Sequence, residues 1–484
     1  MTMKKLLLWF LPVSLLSHMS QAQDKWDLRR CVGYALANNI SVKQADVQAR
    51  LAKLTLSQSK MNRIPTLVFS SGLGINSGNS LNPTNYTVVN QTVGYNSFSL
   101  QSSVLLFNGF NLRNVIAANR TAWEAALATT DKTKNDISLN VANAYLQVLL
   151  ANEQAEAARA KLALSQSQLE ITRKQVNAGT LPELNAAELE SQVAQDSSNY
   201  ISLMGTIQQN VLTLKAYMGL DAGTPFDVST PPVDEIPVEK LIDVQPETVY
   251  ALALANQPQQ KADALQIESS RYFVKANKGA MYPQISIGGS LGTNFNTTPL
   301  TNYYSYLDRL DQPISIGYVQ GSGARVLVDS ATKSVLMESH TPYFKQLSSY
   351  FNQSVGLNIS IPILNNGTLR TNYKKSKLNL RNAELQRDQD NLTLKNNIYQ
   401  AYTAASTALQ KYEANKISVD ASGKSADYAQ KRYAVGMLNT VDLLINQNNL
   451  FNAKINLLSS QYDYVFKMKV LEFYKGLGIK LSKD

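Results

Sequence analysis

The sequence predicts a mainly α-helical chain with a minority of β-strands, built from two copies of one structural unit. Two observations support this fold class. Blocks of residues recur in the second half at constant spacing, and very long helical patterns alternate with short strand patterns of period two. Each copy is expected to contain a first helix, two strands and a hairpin of long helices.

The duplication becomes visible when the chain is aligned with itself. The Ala-Leu-Ala-Asn block at 35–38 returns at 253–256, an offset of 218. Later matches, such as Tyr217 with Tyr474, have an offset of 257. The offset thus changes once, by 257 − 218 = 39 residues, and we assign the added length to the segment 296–350. Constant offsets over such distances are typical of a fused duplication.

The chain begins with an export signal. Lys4 and Lys5 precede an apolar stretch, and Ser-Gln-Ala at 20–22 forms a small-x-small cleavage motif. No later run reaches about 18 consecutive apolar residues, so we expect no membrane-spanning helix. The expected organisation is a signal peptide at 1–22, a first repeat at 23–220, a Pro-rich acidic linker at 221–248 that wraps the middle of the helical region, and a second repeat at 249–484 with its enlarged strand loop at 296–350.

Each repeat starts with one long helix, 27–62 or 246–280, which Pro65 or Pro283 ends because proline disfavours helix at the residue before it. Strand patterns follow. In residues 98–106 apolar side chains alternate with serine and glutamine, and 351–363 repeat the pattern. Such alternation is typical of strands between lipid and a wet lumen. A half-buried strand of a soluble sandwich is the alternative, and the export signal favours the membrane.

Long helices are predicted over 108–177 and 368–434, each extending about 100 Å at about 1.5 Å per residue. Glycine turns at Gly179 and Gly436 lead into returning helices. A heptad seam rich in small residues runs along the first long helix, which favours close packing of partner helices, although an ordinary two-stranded coiled coil has the same pattern. The seam comprises Ile137, Val141, Ala144, Val148, Ala151, Ala155, Ala158, Leu162, Ser165, Leu169, Thr172 and Val176.

Two repeats contribute four strands per chain, and four strands with open edges leave backbone groups unpaired in lipid. The chain is therefore expected to close a barrel with copies of itself. Three copies would give twelve strands, a size compatible with a wet interior, although strand arithmetic does not fix the number three.

Composition argues against several other classes of protein. One cysteine, Cys31, excludes an intrachain disulfide, and the two histidines, His18 and His340, do not suggest a metal site. The formal charge of +10 comes from scattered basic residues, which favours solvated helix faces over a nucleic-acid partner. We expect no cofactor and no enzymatic activity, since the sequence offers no nucleophile–base pair and no phosphate loop.

Four stretches carry a resemblance to a known family. They are the opening helix Leu28 to Asn39, Leu105-Leu106-Phe107-Asn108-Gly109, the junction 361–367 and the hairpin 433–454. In this order, within a duplicated frame, they resemble TolC and related outer-membrane efflux proteins over essentially the whole mature chain. The resemblance implies a homotrimer with a transmembrane β-barrel in outer-membrane lipid, a periplasmic α-barrel of helices, and docking to a periplasmic adaptor and an inner-membrane pump.

The resemblance also implies candidate pore residues. Asp442 matches an acidic residue that rings the family's pore constriction, while Ile445 stands where a second acid is expected and Asn446 is a partial substitute. A ring of three Asp442 side chains would favour cations. The alternative for Asp442 is an acid in a first helical turn that stabilises the helix dipole.

Tyr433 matches a family tyrosine that hydrogen-bonds across the closed entrance, and its expected partner position holds Asn185, an amide without charge. We therefore predict a Tyr433–Asn185 latch; a packed aromatic is the alternative. The glycine turns permit sharp reversals. The tips expected to contact the adaptor are Ala178, Gly179, Thr180, Leu181, Val435, Gly436, Met437 and Leu438.

The predicted function is a passive duct that exports small molecules or proteins across the outer membrane. The alternative is a structural or adhesive coiled-coil surface protein, which would not conduct. The sequence does not specify the cargo.

Overall fold

The computed structural model describes residues 25–81, 87–229, 236, 239–297, 301–306, 314–328, 334–339 and 341–476. The predicted signal at 1–22, His340, and parts of the predicted linker and strand loop lie outside the described residues. The chain forms two compact units. A helical unit comprises Met1–Lys53, Arg120–Ser269 and Leu380–Asp484, and a strand unit comprises Leu54–Asn119 and Ser270–Asn379.

Helices dominate the chain, and strands are inserted between them, as the fold-class prediction requires. None of the described helices combines the length and apolar character needed to cross a membrane. In chain order the elements are α1 (Leu28–Asn38), α2 (Ile40–Met61), β1 (Thr66–Leu81), β2 (Val88–Asn108), α3 (Asn111–Asn177), α4 (Glu183–Met218), α5 (Pro246–Asn256), α6 (Pro258–Gly279), β3 (Gln284–Asn296), β4 (Thr301–Tyr306), β5 (Ile314–Tyr318), β6 (Arg325–Val328), β7 (Ser334–Ser339), α7 (Tyr343–Ser349), β8 (Asn352–Ser360), α8 (Thr368–Ala434) and α9 (Thr440–Tyr474).

The first helix of each half is broken, where the sequence predicted a single helix. Asn39 separates α1 from α2; its amide donates to Tyr217 O at 2.8 Å and its Oδ1 accepts from the Ser41 N–H. Gln257 separates α5 from α6 and donates to Phe473 O at 2.9 Å. The last carbonyls of a helix lack intrahelical partners, so each break supplies a side-chain amide to the end of α4 or α9.

The helical unit is held by a core of small and apolar side chains. The predicted seam residues from Val141 through Ala158, in the middle of α3, are buried. Trp26 packs against this core. It forms an isolated parallel β-bridge with Val228, and its ring lies 5.5 Å from that of Phe226. Residues 226–228 therefore pack on the helices, since Val228 is buried with them.

Four strands form one antiparallel sheet in the strand unit, in the order β1-β2-β3-β8. β1 and β8 are its two edges. The predicted strand over 351–363 ends early, at Ser360, because Pro362 has no N–H to donate to a ladder. Two further pairs, β4 with β7 and β5 with β6, form separate ladders within the predicted loop 296–350.

The register of the sheet gives it one apolar and one polar face. In one cross-strand row Phe69 lies opposite Leu100, which lies opposite Leu291. The apolar face carries Leu67, Phe69, Leu73, Ile75, Phe98, Leu100, Val104, Ile285, Ile287, Leu291, Phe295, Val355, Leu357 and Ile359. The polar face carries Ser70, Gly72, Ser97, Ser99, Gln101, Ser103, Ser286, Gly288, Ser290, Gly292, Ser354, Gly356, Asn358 and Ser360, together with Val68, Tyr95 and Leu105. The predicted alternation is confirmed over most of the strand length.

The corner between β2 and α3 depends on two glycines in mutual contact. Gly109 has φ +62°, and a Cβ placed on it would lie 2.2 Å from Gly279 O. A Cβ on Gly279 would in turn lie 2.4 Å from Gly109 O. Asn111 then donates from its side chain to Ala276 O at 2.7 Å, which ties the start of α3 to the end of α6.

Cys31 is expected to be chemically inert in the folded protein. It is fully buried, and this burial raises the pKa of its thiol to about 12, with the nearby Asp27 carboxylate adding to the shift. Because the thiolate is the reactive form, we expect no maleimide labelling of native protein at neutral pH and complete labelling after unfolding in denaturant. A Val435→Cys variant, exposed at a helix turn, is the control that should label in the native state. Native labelling of Cys31 at the same rate would contradict the burial.

Candidate functional site

Both helical hairpins reverse through the same backbone motif. After α3, Gly179 N donates to Val176 O at 2.9 Å and Thr180 N donates to Gln175 O at 2.9 Å. After α8, Gly436 N and Met437 N make the equivalent bonds to Tyr433 O and Arg432 O. Both glycines have positive φ, +73° and +76°, the left-handed conformation that such a helix end requires.

The predicted tip residues lie at these two turns. Six of the eight are exposed, and the two leucines, Leu181 and Leu438, are half-buried. Val435 and Met437 are 69% and 67% exposed, which leaves two apolar side chains open on the second turn. The exposed residues are Ala178, Gly179, Thr180, Val435, Gly436 and Met437.

The two turns differ in how the next helix begins. Asn439 caps α9, because its side chain accepts from Asp442 N at 2.8 Å. Pro182 precedes α4 without a side-chain cap. Asp442 lies in the first turn of α9 with its side chain exposed, a position that also favours an acid for the helix dipole. Ile445 is 51% exposed on the same helix.

Asn446 is occupied by contacts within the chain. Its amide nitrogen donates to Asp442 O at 2.8 Å, and its Oδ1 accepts from Ser425 Oγ at 2.6 Å. The contact with Ser425 connects α9 to α8. The predicted role of Asn446 as a substitute acid in the pore therefore competes with a structural role in the hairpin.

Tyr433 does not make the predicted contact with Asn185. Its hydroxyl lies 3.4 Å from Thr172 Oγ1, and among the described residues no hydrogen bond joins it to Asn185, which is half-buried in α4. Thr172 is a buried seam residue, 1% exposed. The seam position on α3 thus offers Tyr433 a hydroxyl partner in this conformation, and the contact joins the first hairpin to the second.

A buried charged network was not predicted from the sequence. Asp196 is 3% exposed and lies 2.9 Å from Lys161 Nζ. It also accepts from Ser165 Oγ at 2.6 Å and from Gln192 Nε2 at 2.9 Å. Lys161 and Gln192 both bond Asn448 on α9, so the network joins the two hairpins.

A pattern in the sequence could have revealed this network. Ala186, Leu189, Gln192 and Asp196 follow steps of three and four residues along α4, and all four are buried. An acid at the end of an otherwise core-facing row requires a partner, since an unpaired buried charge is strongly unfavourable.

Further polar contacts continue between the hairpins on either side of the network. Gln168 donates to Gln430 Oε1 at 3.3 Å and Gln154 donates to Ser459 Oγ at 3.0 Å; within the second hairpin, Gln447 also donates to Gln430 Oε1, at 3.2 Å. The Gln168 oxygen is buried without a partner. Polar contacts of this kind stabilise the interface between the hairpins by about 1 kcal/mol each. They fix the register of the two hairpins, and separating them costs less free energy than separating an apolar core.

No group of three or more histidine, cysteine, aspartate or glutamate side chains among the described residues is placed to hold a metal ion. The arrangement instead combines two exposed turns, an exposed acid near one of them, and a polar contact surface between two hairpins.

Comparison with known proteins identifies the family of the chain. The family described as outer membrane efflux protein matches residues 32–220 and 249–474. The chain is 23% identical over 367 residues to the outer membrane efflux protein BepC of Brucella suis, covering 76% of this chain and 69% of that protein. It is 20% identical over 492 residues to the alkaline protease secretion protein AprF of Pseudomonas aeruginosa, covering 99% and 90%.

Among solved structures, the CmeC outer membrane channel of Campylobacter jejuni superposes with a TM-score of 0.74 at 17% identity, covering 94% of this chain and 87% of that one. The fold is therefore shared at low sequence identity. The family match spans both halves of the chain and omits only its ends and the residues between 220 and 249. The resemblance seen in the sequence is confirmed, and the chain belongs to the outer membrane efflux protein family.

Proposed function

We propose that this outer-membrane efflux channel forms its passage together with two further copies of the chain. The sheet supports this proposal: its edges, β1 and β8, have no further partner strand within the sheet, and one of its faces is apolar while the other is polar. Lipid cannot satisfy open strand edges, so the sheet requires strands from other chains. The apolar face then contacts lipid and the polar face lines the passage.

The helical hairpins are proposed to lie in the periplasm. Their exposed turns, around Gly179 and Gly436, are the sites where a periplasmic adaptor would dock, and an inner-membrane pump would supply the cargo. AprF is named for secretion of a protease and BepC for efflux. By analogy, this chain serves a pump of one of these kinds as a passive duct and performs no chemistry. The family match does not favour the adhesive alternative.

The hydroxyl contact between Tyr433 and Thr172 is the proposed closing contact of the duct. The Tyr433–Asn185 latch expected from the sequence stays a prediction. The Tyr433–Thr172 contact joins α3 of one hairpin to the end of α8 in the other, close to both turns. Opening separates these helices, and the neighbouring glutamine contacts, being polar, separate with it.

Loss of either hydroxyl is expected to raise basal conductance. Tyr433→Phe and Thr172→Val each remove a contact that stabilises the closed form by about 1 kcal/mol per chain. Single-channel recording in planar bilayers should show an open fraction several-fold above that of the unaltered protein. Tyr428→Phe, on the exposed side of α8, is the matched control and should not differ. Unchanged current in both variants would reject the closing contact. Absence of conductance in the unaltered protein and in all three variants would reject the duct.

Asp442 is proposed to line the periplasmic end of the passage, where three copies form an acidic ring. Asp442→Asn should then lower the preference for cations, measured as a shift of reversal potential toward zero in a salt gradient. Asp420→Asn is the control, since Asp420 is exposed on α8 and paired with Lys424. An equal shift in both variants would assign the effect to overall charge. No shift for Asp442→Asn would place that side chain away from the ion path.

The network centred on Asp196 is expected to hold the hairpins together. Asp196→Ala leaves Lys161, whose side chain is 15% exposed, without its carboxylate partner. Removing one member of such a buried pair destabilises a protein by about 3 kcal/mol. We expect the thermal denaturation midpoint to fall by several degrees. Asp420→Ala, which breaks an exposed pair, should change it very little, and similar midpoints for the two variants would show that the network contributes nothing.

A further inference from the structure

The short helix α7 (Tyr343–Ser349) lies within the predicted loop 296–350, immediately before β8. The efflux function alone assigns it no role. Two roles are physically distinct: a helix over the pore mouth would restrict passage, whereas a helix on the lipid side would anchor the barrel. The contacts of α7 with the sheet decide between them.

α7 is fixed to β3 through a buried glutamine. Gln346 is 2% exposed; its Oε1 accepts from Asn296 N at 3.1 Å and its Nε2 donates to Asn296 O at 3.0 Å. The ladder between β3 and β8 ends at the pair Gly292↔Asn352. The side-chain amide thus satisfies backbone groups of β3 beyond the end of β8, which gives α7 a defined position.

The side chains that α7 contacts all belong to the apolar face of the sheet. The Tyr343 ring lies 4.8 Å from that of Phe295, and its hydroxyl accepts from Asn96 Nδ2 at 3.0 Å. Thr293 Oγ1 donates to Leu347 O at 2.6 Å. Asn96 lies opposite Phe295 in the register, and Thr293 lies opposite Phe98, so all of these side chains point to the same side. α7 therefore packs on the side that the proposed function assigns to lipid.

The position of α7 along the strand matches a membrane boundary. Thr293 is 293 − 284 = 9 residues beyond the start of β3. At a rise of about 3.3 Å per residue and a tilt of about 40°, this is about 23 Å along the membrane normal, close to the height of about 25 Å of the apolar band of outer-membrane barrels.

Aromatic side chains occur at both ends of this span. At the end of the sheet formed by the last residues of β2 and the first residues of β3, Phe107 and Phe110 lie 5.5 Å apart and Tyr282 is 51% exposed. At the other end, Phe344 is 81% exposed with its ring 5.3 Å from that of Tyr343. Girdles of aromatic residues at both boundaries are typical of barrels in a membrane.

We infer that α7 is an interfacial anchor, which packs on the lipid-facing side of the sheet and inserts Phe344 into the acyl–headgroup boundary of the outer leaflet. This inference rests on the proposed function, because that function assigns lipid to the apolar face. The occupant is lipid, since the Tyr343–Phe295 ring pair and the exposed Phe344 adjoin the strand face that carries Phe98 and Leu291. α7 leaves the pore mouth open.

Spin labels at three single cysteines test the anchor. Cys31 is buried and should not label, so Phe344→Cys, Val355→Cys and Ser354→Cys can be made in the unaltered chain. Val355 and Ser354 are neighbours on opposite faces of β8 and serve as lipid and lumen references. In vesicles of outer-membrane lipid, collision rates with oxygen and with a water-soluble nickel complex report the surroundings of each label.

The anchor predicts that the oxygen-to-nickel ratio at Phe344→Cys is several-fold above that at Ser354→Cys and below that at Val355→Cys. A water-like ratio at Phe344→Cys, with the two references differing as expected, overturns the anchor and leaves the proposed function intact. Equal ratios at the two references overturn the assignment of the faces, and with it both proposals.

A second variant tests the role of Gln346. Gln346→Ala removes both bonds to Asn296, so the attachment of α7 to β3 is weakened, while the Thr293–Leu347 bond and the Tyr343–Phe295 ring contact remain. In the Phe344→Cys background this change should lower the oxygen-to-nickel ratio toward that of water and narrow the label's spectrum. Ser349→Ala, an exposed position at the end of the same helix, is the control. An unchanged ratio in Gln346→Ala would show that α7 does not depend on this contact.

Discussion

The rest of the structure depends on the unpaired edges of a four-stranded sheet. β1 and β8 each present one row of backbone donors and acceptors that the chain itself leaves open in this sheet. In hydrocarbon such groups cost several kcal/mol each, so the sheet is stable there only when other strands complete it. The chain is therefore a part of a barrel rather than a complete one, and the contrast between its faces sets which side meets lipid.

The helical unit holds two hairpins together, and the proposed closing contact requires that they can also separate. Small residues from Val141 to Ala158 permit close packing in the middle of α3. Further toward the turns the contacts become polar, through Asp196, Gln168 and Tyr433. An apolar interface at that end would oppose opening through loss of buried area. A polar one exchanges its hydrogen bonds for water and still fixes the register.

At Asn39 and at Gln257, a helix break coincides with a hydrogen bond to a residue that is distant in sequence. Each side chain bonds carbonyls at the end of a helix more than 170 residues away in sequence, with separations of 178 and 216 residues. Helical periodicity alone predicts a continuous helix through both positions. Each break places a side-chain amide donor at the carbonyls that end α4 or α9.

The sequence by itself determined the family, the four strands with their alternating faces, the ends of the two long helices and the glycine turns, because these depend on periodicity and on local backbone preferences. Only the tertiary structure decided the partner of Tyr433, the network around Asp196, and the side of the sheet on which α7 packs. Those outcomes depend on which residues, distant in sequence, lie close together in the folded chain. A one-dimensional pattern cannot distinguish Thr172 from Asn185 as a partner when both carry hydrogen-bonding side chains near a turn.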